Sequence, residues 1–191
     1  TSGNPNLEPE KAFAQEIGFK YRNDNFSGSL AIFNRDSEDL IDYIRPNTEA
    51  SIFTAANIAE VSTQGIEFES AYNFKMNNYN QTITFGYTYL NDDILDQNKD
   101  LSRYSLNTLK HQFISRFTSQ LFKNVRQNII YKHSERTVGT SYNVWDASLI
   151  VDFNKFTFTL TANNIFNAEY IESGFVQMPP SNVLFGLRYG F

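Results

Sequence analysis

Phe13-Ala-Gln-Glu-Ile-Gly-Phe-Lys-Tyr21 carries Phe13, Ile17, Phe19 and Tyr21 at alternate positions, with Gln15 the one polar member of that row. Ala14, Glu16, Gly18 and Lys20 fall between them. An extended strand sends successive side chains to opposite faces, so this stretch has one apolar and one polar face. The same period of two returns along the chain. Ile66, Phe68, Tyr72 and Phe74 oppose Glu67 and Glu69, and Trp145, Leu149, Val151 and Phe153 oppose Asp146, Ser148 and Asp152. Segments 83–89, 112–121, 156–163 and 183–191 alternate as cleanly, and 26–35 and 125–133 less so. That predicts about nine strands and an all-β fold, since no segment sustains a period of 3.6.

The connections alternate as well. Short polar turns are expected at 22–25, 75–80, 123–124 and 154–155, and longer loops at 36–56, 91–108, 134–143 and 164–181. Short turns at one end and long loops at the other form the layout of a transmembrane antiparallel β-barrel, with short periplasmic turns and long extracellular loops. A soluble β-sandwich also alternates, but its turns mix lengths at both ends. Here aromatic residues cap both ends of many strands, as in the aromatic girdles of a membrane barrel.

Composition narrows the classes. The chain has 191 residues, with 16 Lys and Arg against 21 Asp and Glu, a formal charge of −5. That charge, with no long basic run, argues against nucleic acid as the main partner. The absence of cysteine excludes a disulfide scaffold, a zinc–thiolate site and a cysteine nucleophile. No apolar run approaches the roughly 18–20 residues of a membrane helix, a test to which barrel strands are invisible. Residues 1–6 hold no signal peptide; if the protein is exported, the signal is expected upstream of them.

Three segments carry a family resemblance. They are Asn4-Pro-Asn-Leu-Glu-Pro-Glu10, Asn163-Asn-Ile-Phe-Asn-Ala-Glu-Tyr170 and the ending Gly186-Leu-Arg-Tyr-Gly-Phe191. In order and spacing the chain resembles the C-terminal part of a TonB-dependent outer-membrane receptor. Many members carry Pro-Gly-Arg before the last strand, where this chain has Pro179-Pro180-Ser181. The resemblance implies a ~22-stranded barrel with a plugged lumen. Residues 1–191 would be the C-terminal portion of that barrel, its last nine or so strands, with the plug domain absent from this chain. It implies a multi-pass protein of the bacterial outer membrane that takes up a scarce metal complex. Siderophore-iron or haem comes first and cobalamin next, energised by the inner-membrane TonB complex acting through the plug. The other partners are outer-membrane lipid and the barrel-assembly machinery.

The final strand, with Phe185, Leu187, Tyr189 and Phe191 two apart, resembles the signal that the assembly machinery reads, through strand pairing. The polar faces place Glu16, Lys20, Glu67, Glu69, Arg116, Arg126, Lys132, Asp146, Asp152 and Arg188 toward the lumen, where buried charge needs partners. Loop residues Arg103, Tyr104, Arg136, Tyr142, Tyr170 and Phe175 are candidate ligand contacts. Asp96, Asn98 and Asp100 match the opening of a calcium loop, but Leu101 stands where glycine belongs and Asn107 where the bidentate glutamate belongs. Calcium is therefore the one cofactor the sequence admits. His111 and His133 read as single surface histidines near outer strand ends. No nucleophile–base order, phosphate loop or dinucleotide fingerprint is present, so an enzyme is not expected. The alternatives are a passive outer-membrane channel or adhesin barrel, which needs an even strand count, and a soluble β-sandwich binding module.

Overall fold

The computed structural model describes residues 3–45, 52–58, 60–94, 101–102, 109–137, 139, 141–172 and 176–191. Among these residues twelve strands follow one another: β1 (Lys11–Arg22), β2 (Phe26–Glu38), β3 (Leu40–Arg45), β4 (Thr54–Ile58), β5 (Val61–Met76), β6 (Tyr79–Ile94), β7 (Leu101–Ser102), β8 (Leu109–Phe122), β9 (Val125–Arg136), β10 (Tyr142–Phe153), β11 (Phe156–Asn163) and β12 (Asn182–Tyr189). Nine of them form one antiparallel sheet in the order β1-β2-β5-β6-β8-β9-β10-β11-β12. The nine strands expected from alternation are these nine.

The short turns follow from local chemistry. Asn77 and Asn78 take φ of 50° and 66° between Met76 and its partner Tyr79. Two consecutive left-handed residues suit a tight hairpin, and asparagine tolerates that region better than most side chains. Asn154, at φ 52°, opens the two-residue turn between Phe153 and Phe156. Between β1 and β2, the Asn23 side chain accepts hydrogen bonds from the backbone N–H groups of Asn25 and Phe26.

The register carries each polar face onto the next strand. Lys20 pairs with Ser29 and Ser29 with Glu69, while Thr84 pairs with Arg116 and Asp152 with Thr157 opposite Arg188. On the other face Ile17, Ile32, Ile66 and Tyr89 stand in one row, and Leu149 sits between Gln127 and Leu160. A slip of one residue anywhere would reverse these faces.

No described residue covers the apolar face. Ile17 is 76% exposed, Phe19 68%, Phe185 69% and Leu187 58%, while the buried hydrophobic residues number three, Ala55, Tyr142 and Val144, among the described residues. A soluble sandwich would cover such a face with a second sheet. Lipid covers it in a barrel wall. Aromatic rings flank the apolar belt at both ends. At the short-turn end Tyr21 lies 6.2 Å from Phe26, and Phe156 5.0 Å from Tyr189. At the loop end Tyr89 meets His111 at 4.9 Å, and Tyr131 meets Trp145 at 4.8 Å. From Trp145 to Phe153, at about 3.3 Å per residue, the belt on β10 runs about 26 Å along the strand.

Three sequence expectations need correction. Segment 36–56 is not a plain loop: β3 pairs with β4, and β3 also pairs with β7, in a separate three-stranded sheet. Strands this short form only when paired, and their alternation is too brief to read. The strands also outrun the expected segments, β5 and β6 reaching 16 residues each, beyond the roughly 9–11 that a bilayer requires. The last strand stops at Tyr189; Gly190 and Phe191 lie beyond it, although the Gly190 N–H still donates to Lys155.

Candidate functional site

The loop after β11 is shaped by two asparagines. Asn164 and Asn167 adopt φ of 49° and 53°. Asn164 is 3% exposed and fully used: its N–H donates to Asp146 at 2.7 Å, its amide donates to the carbonyls of Ala168 and Pro179, and its Oδ1 accepts the Ala168 N–H at 2.8 Å. Asn167 accepts the Ser181 N–H at 2.9 Å. Backbone bonds from Met178 to Tyr170 and a bridge between Ile171 and Gln177 close the two arms. The Asn163–Tyr170 segment is thus a folding device that ties 164–181 to the strand ends.

This tie delivers Tyr170 and Glu172 to the polar face. Lys132 on β9 pairs in register with Val144 on β10, on the face that also carries Tyr142 and Ser134. Lys132 makes an ion pair with Glu172. Tyr142 and Tyr170 stack at 4.6 Å, with the Lys132 ammonium 5.8 Å and 5.3 Å from the two ring centres. The Tyr142 hydroxyl donates to Glu172 at 3.4 Å. Burial pushes the Tyr170 phenol above its ordinary value, which keeps it a neutral donor. Two phenols, an ammonium and a carboxylate can recognise charged or aromatic groups, but they hold no nucleophile–base pair.

Of the six candidate contacts, Tyr142 and Tyr170 are brought together here. Arg136 ends β9 opposite Leu109. Arg103, Tyr104 and Phe175 lie outside the described residues, as do Asp96, Asn98 and Asp100 of the calcium-like loop. Sequence reading placed Lys132 on the inner face but missed its link to the two tyrosines, and it passed over Glu172 and Asn164. Only the doubled Asn in the Asn163–Tyr170 motif hinted at the last. No group of three or more His, Asp or Glu that could hold a metal occurs among the described residues. His111 instead contacts the Tyr87 hydroxyl at 2.9 Å, and His133 contacts Asn143 at 2.9 Å.

Further down the same face Arg126 pairs with Asp152 at 2.8 Å, and Thr157 donates to the other oxygen of Asp152 at 2.8 Å. Glu16, Glu67, Glu69 and Arg116 make no ion pair among the described residues. Phe33 lies over Gly65, where a Cβ would come within 2.2 Å of its ring. The aromatic ring fills the space that the glycine leaves open.

A nine-stranded antiparallel wall with a lipid face, a charged face and long loops at one end defines a section of an outer-membrane β-barrel. The family model of TonB dependent receptor-like β-barrels matches residues 1–167, and the chain belongs to that family of the bacterial outer membrane. Over 72 residues, 38% of this chain, it is 31% identical to the vitamin B12 transporter BtuB of Vibrio vulnificus (strain YJ016). That match spans 12% of the transporter's length. Among solved structures it resembles the copper transporter OprC, at a TM-score of 0.74 and 13% identity over 98% of this chain and 32% of that one. The siderophore receptor PirA from Acinetobacter baumannii gives 0.73 and 16% over 97% of this chain and 32% of the other. These structural likenesses show the fold, of which this chain spans about a third.

Proposed function

We propose that the complete protein containing this wall is an active-transport receptor for a scarce metal complex, siderophore-iron or haem first and cobalamin next. The observation that carries this is the polar face. Glu16, Glu67, Glu69 and Arg116 project from it without ionic partners among the described residues, which suits a lumen filled by a plug rather than by lipid. Family membership and the resemblance to metal-complex transporters support the same reading. The plug is the protein's own N-terminal domain, and the TonB complex acts through it. Binding shifts the plug between states, and external work completes release, which binding energy alone cannot drive in a cycle. No covalent chemistry is involved, so the protein is not an enzyme.

Arg103, Tyr104, Arg136, Tyr142, Tyr170 and Phe175 are the proposed outer contacts. Calcium, if it binds, would be held by Asp96, Asn98 and Asp100. Phe185, Leu187, Tyr189 and Phe191 are the proposed assembly signal. The test uses the full-length receptor. Titration with a ferric siderophore, haem and cobalamin should give tight binding of one of them, and uptake should stop when the proton gradient is collapsed. Uptake that survives the collapse would make the protein a passive channel.

A further inference from the structure

Among the described residues Glu172 is the carboxylate that reaches Lys132, and it comes from 40 residues further along the chain. A single oxygen takes both of its contacts. The Lys132 ammonium donates to Oε1, and the Tyr142 hydroxyl donates to the same atom at 3.4 Å. Neither contact uses a backbone N–H or a guanidinium fork, so what is recognised is one anionic oxygen. Any carboxylate or phenolate oxygen can make the same two contacts. The stacked rings of Tyr142 and Tyr170 stand beside it, with the ammonium near both ring faces.

The loop is held in two separate places. Asn164 and Asn167 fix it close to the strand ends. Further on, Glu172 holds it to the wall through Lys132. The bridge between Ile171 and Gln177 and the bond from Met178 to Tyr170 join the two arms to each other, not to the wall. The two attachments differ in access. Asn164 is 3% exposed, whereas the side chains of Lys132 and Glu172 keep 22% and 33% of their surface open. A dissolved anion can reach the ammonium while the Asn164 anchor stays made. Asp146, on the same face, is already engaged by the Asn164 N–H at 2.7 Å. Replacing Glu172 by another anion leaves the number of ion pairs unchanged, so the newcomer has only to outcompete one partly exposed pair.

We propose that Glu172 is an intramolecular stand-in for the cargo. An anionic oxygen of the arriving metal complex, carboxylate or catecholate, displaces it from Lys132 and docks against Tyr142 and Tyr170. The arm 168–172 is then released from the wall, while Asn164 keeps the loop attached as a hinge. This rests on the transport reading above and adds two statements to it. The cargo presents an exposed negative oxygen, and the receptor's own glutamate sets the affinity that this oxygen must exceed. A neutral complex gains nothing at Lys132 and leaves the arm latched.

The test is equilibrium binding to the full-length receptor in detergent. The probes are haemin, with its propionate carboxylates, a ferric tris-catecholate, and uncharged cyanocobalamin. Wild type should bind one of the two anionic probes. Glu172→Gln should tighten that probe about fivefold, the closed-to-open ratio that one partly exposed ion pair sustains. Lys132→Met should weaken it about fivefold or more, and Lys132→Arg should recover most of the loss. Glu172→Gln added to Lys132→Met should change nothing further, because no cation is left to compete for. Misfolding cannot tighten binding, so the opposite signs separate a displaced competitor from a purely structural pair, in which both single variants would weaken it. Unchanged or weaker binding in Glu172→Gln, or unchanged binding in Lys132→Met, would overturn the proposal. Binding of cyanocobalamin alone would overturn it and leave the transport reading standing, and binding of none of the three would overturn both.

Discussion

Asn164 shows how one residue can set a site it does not enter. Its left-handed φ of 49° and three side-chain hydrogen bonds hold the loop that carries Tyr170 and Glu172. Asn164→Ala removes those bonds and strains the backbone, at a cost of about 3 kcal/mol. The expected outcome is local: hydrogen exchange of 164–172 in the full receptor should accelerate, with the melting temperature of the wall nearly unchanged. Unchanged exchange would show that the loop is held by something else. Lys132 and Glu172 should also prove coupled. Lys132→Met and Glu172→Gln should be non-additive by about 1 kcal/mol in the same exchange measurement. Strict additivity would mean that the ion pair contributes nothing to loop closure. The Asn163–Tyr170 motif was visible in the sequence, but its purpose was not, because its partners Asp146 and Pro179 lie 18 and 15 residues from Asn164. Lys132 meeting Glu172 across 40 residues was hidden for the same reason.

Strands were far more legible than contacts. Period two located the nine wall strands and assigned their faces, because a pleated strand offers only two sides and lipid selects strongly between them. The three-stranded outer sheet escaped, since β4 has five residues and β7 two. Face assignment makes a direct energetic prediction. Leu149, 37% exposed on the apolar face near mid-strand, should cost about 2–4 kcal/mol when changed to Arg in the full barrel, and Ser148→Arg on the opposite face should cost less. Reversible unfolding in lipid measures both, and equal costs would mean that the faces are wrongly assigned. Just beyond β12, Phe191 is fully exposed and meets the Tyr189 ring edge-on at 5.4 Å. Deleting it removes little packing, so the inserted barrel should melt near the wild-type temperature. If the residue is an assembly signal, the amount inserted should fall severalfold. Normal abundance with a lowered melting temperature would make Phe191 a structural residue only.

At the scale of the molecule the sheet has two free edges. Among the described residues β1 pairs only with β2, and β12 only with β11. Nine alternating strands leave β1 and β12 running in the same direction, so direct closure would require a parallel pair, which the even strand counts of bacterial single-chain outer-membrane barrels avoid. Residues 1–191 refolded alone in detergent should therefore aggregate or associate through these edges; a monodisperse, heat-modifiable monomer would contradict that. The central claim is that one face of this wall meets lipid and the other an aqueous or plug-filled lumen. Nitroxide labels placed one at a time along β10, from position 145 to 153 of the full-length receptor in bilayers, test it most directly. Oxygen accessibility should peak at 145, 147, 149, 151 and 153 and fall at the residues between, with a water-soluble nickel complex excluded from the peaks. Accessibility without that alternation, or with its phase reversed, would contradict the account.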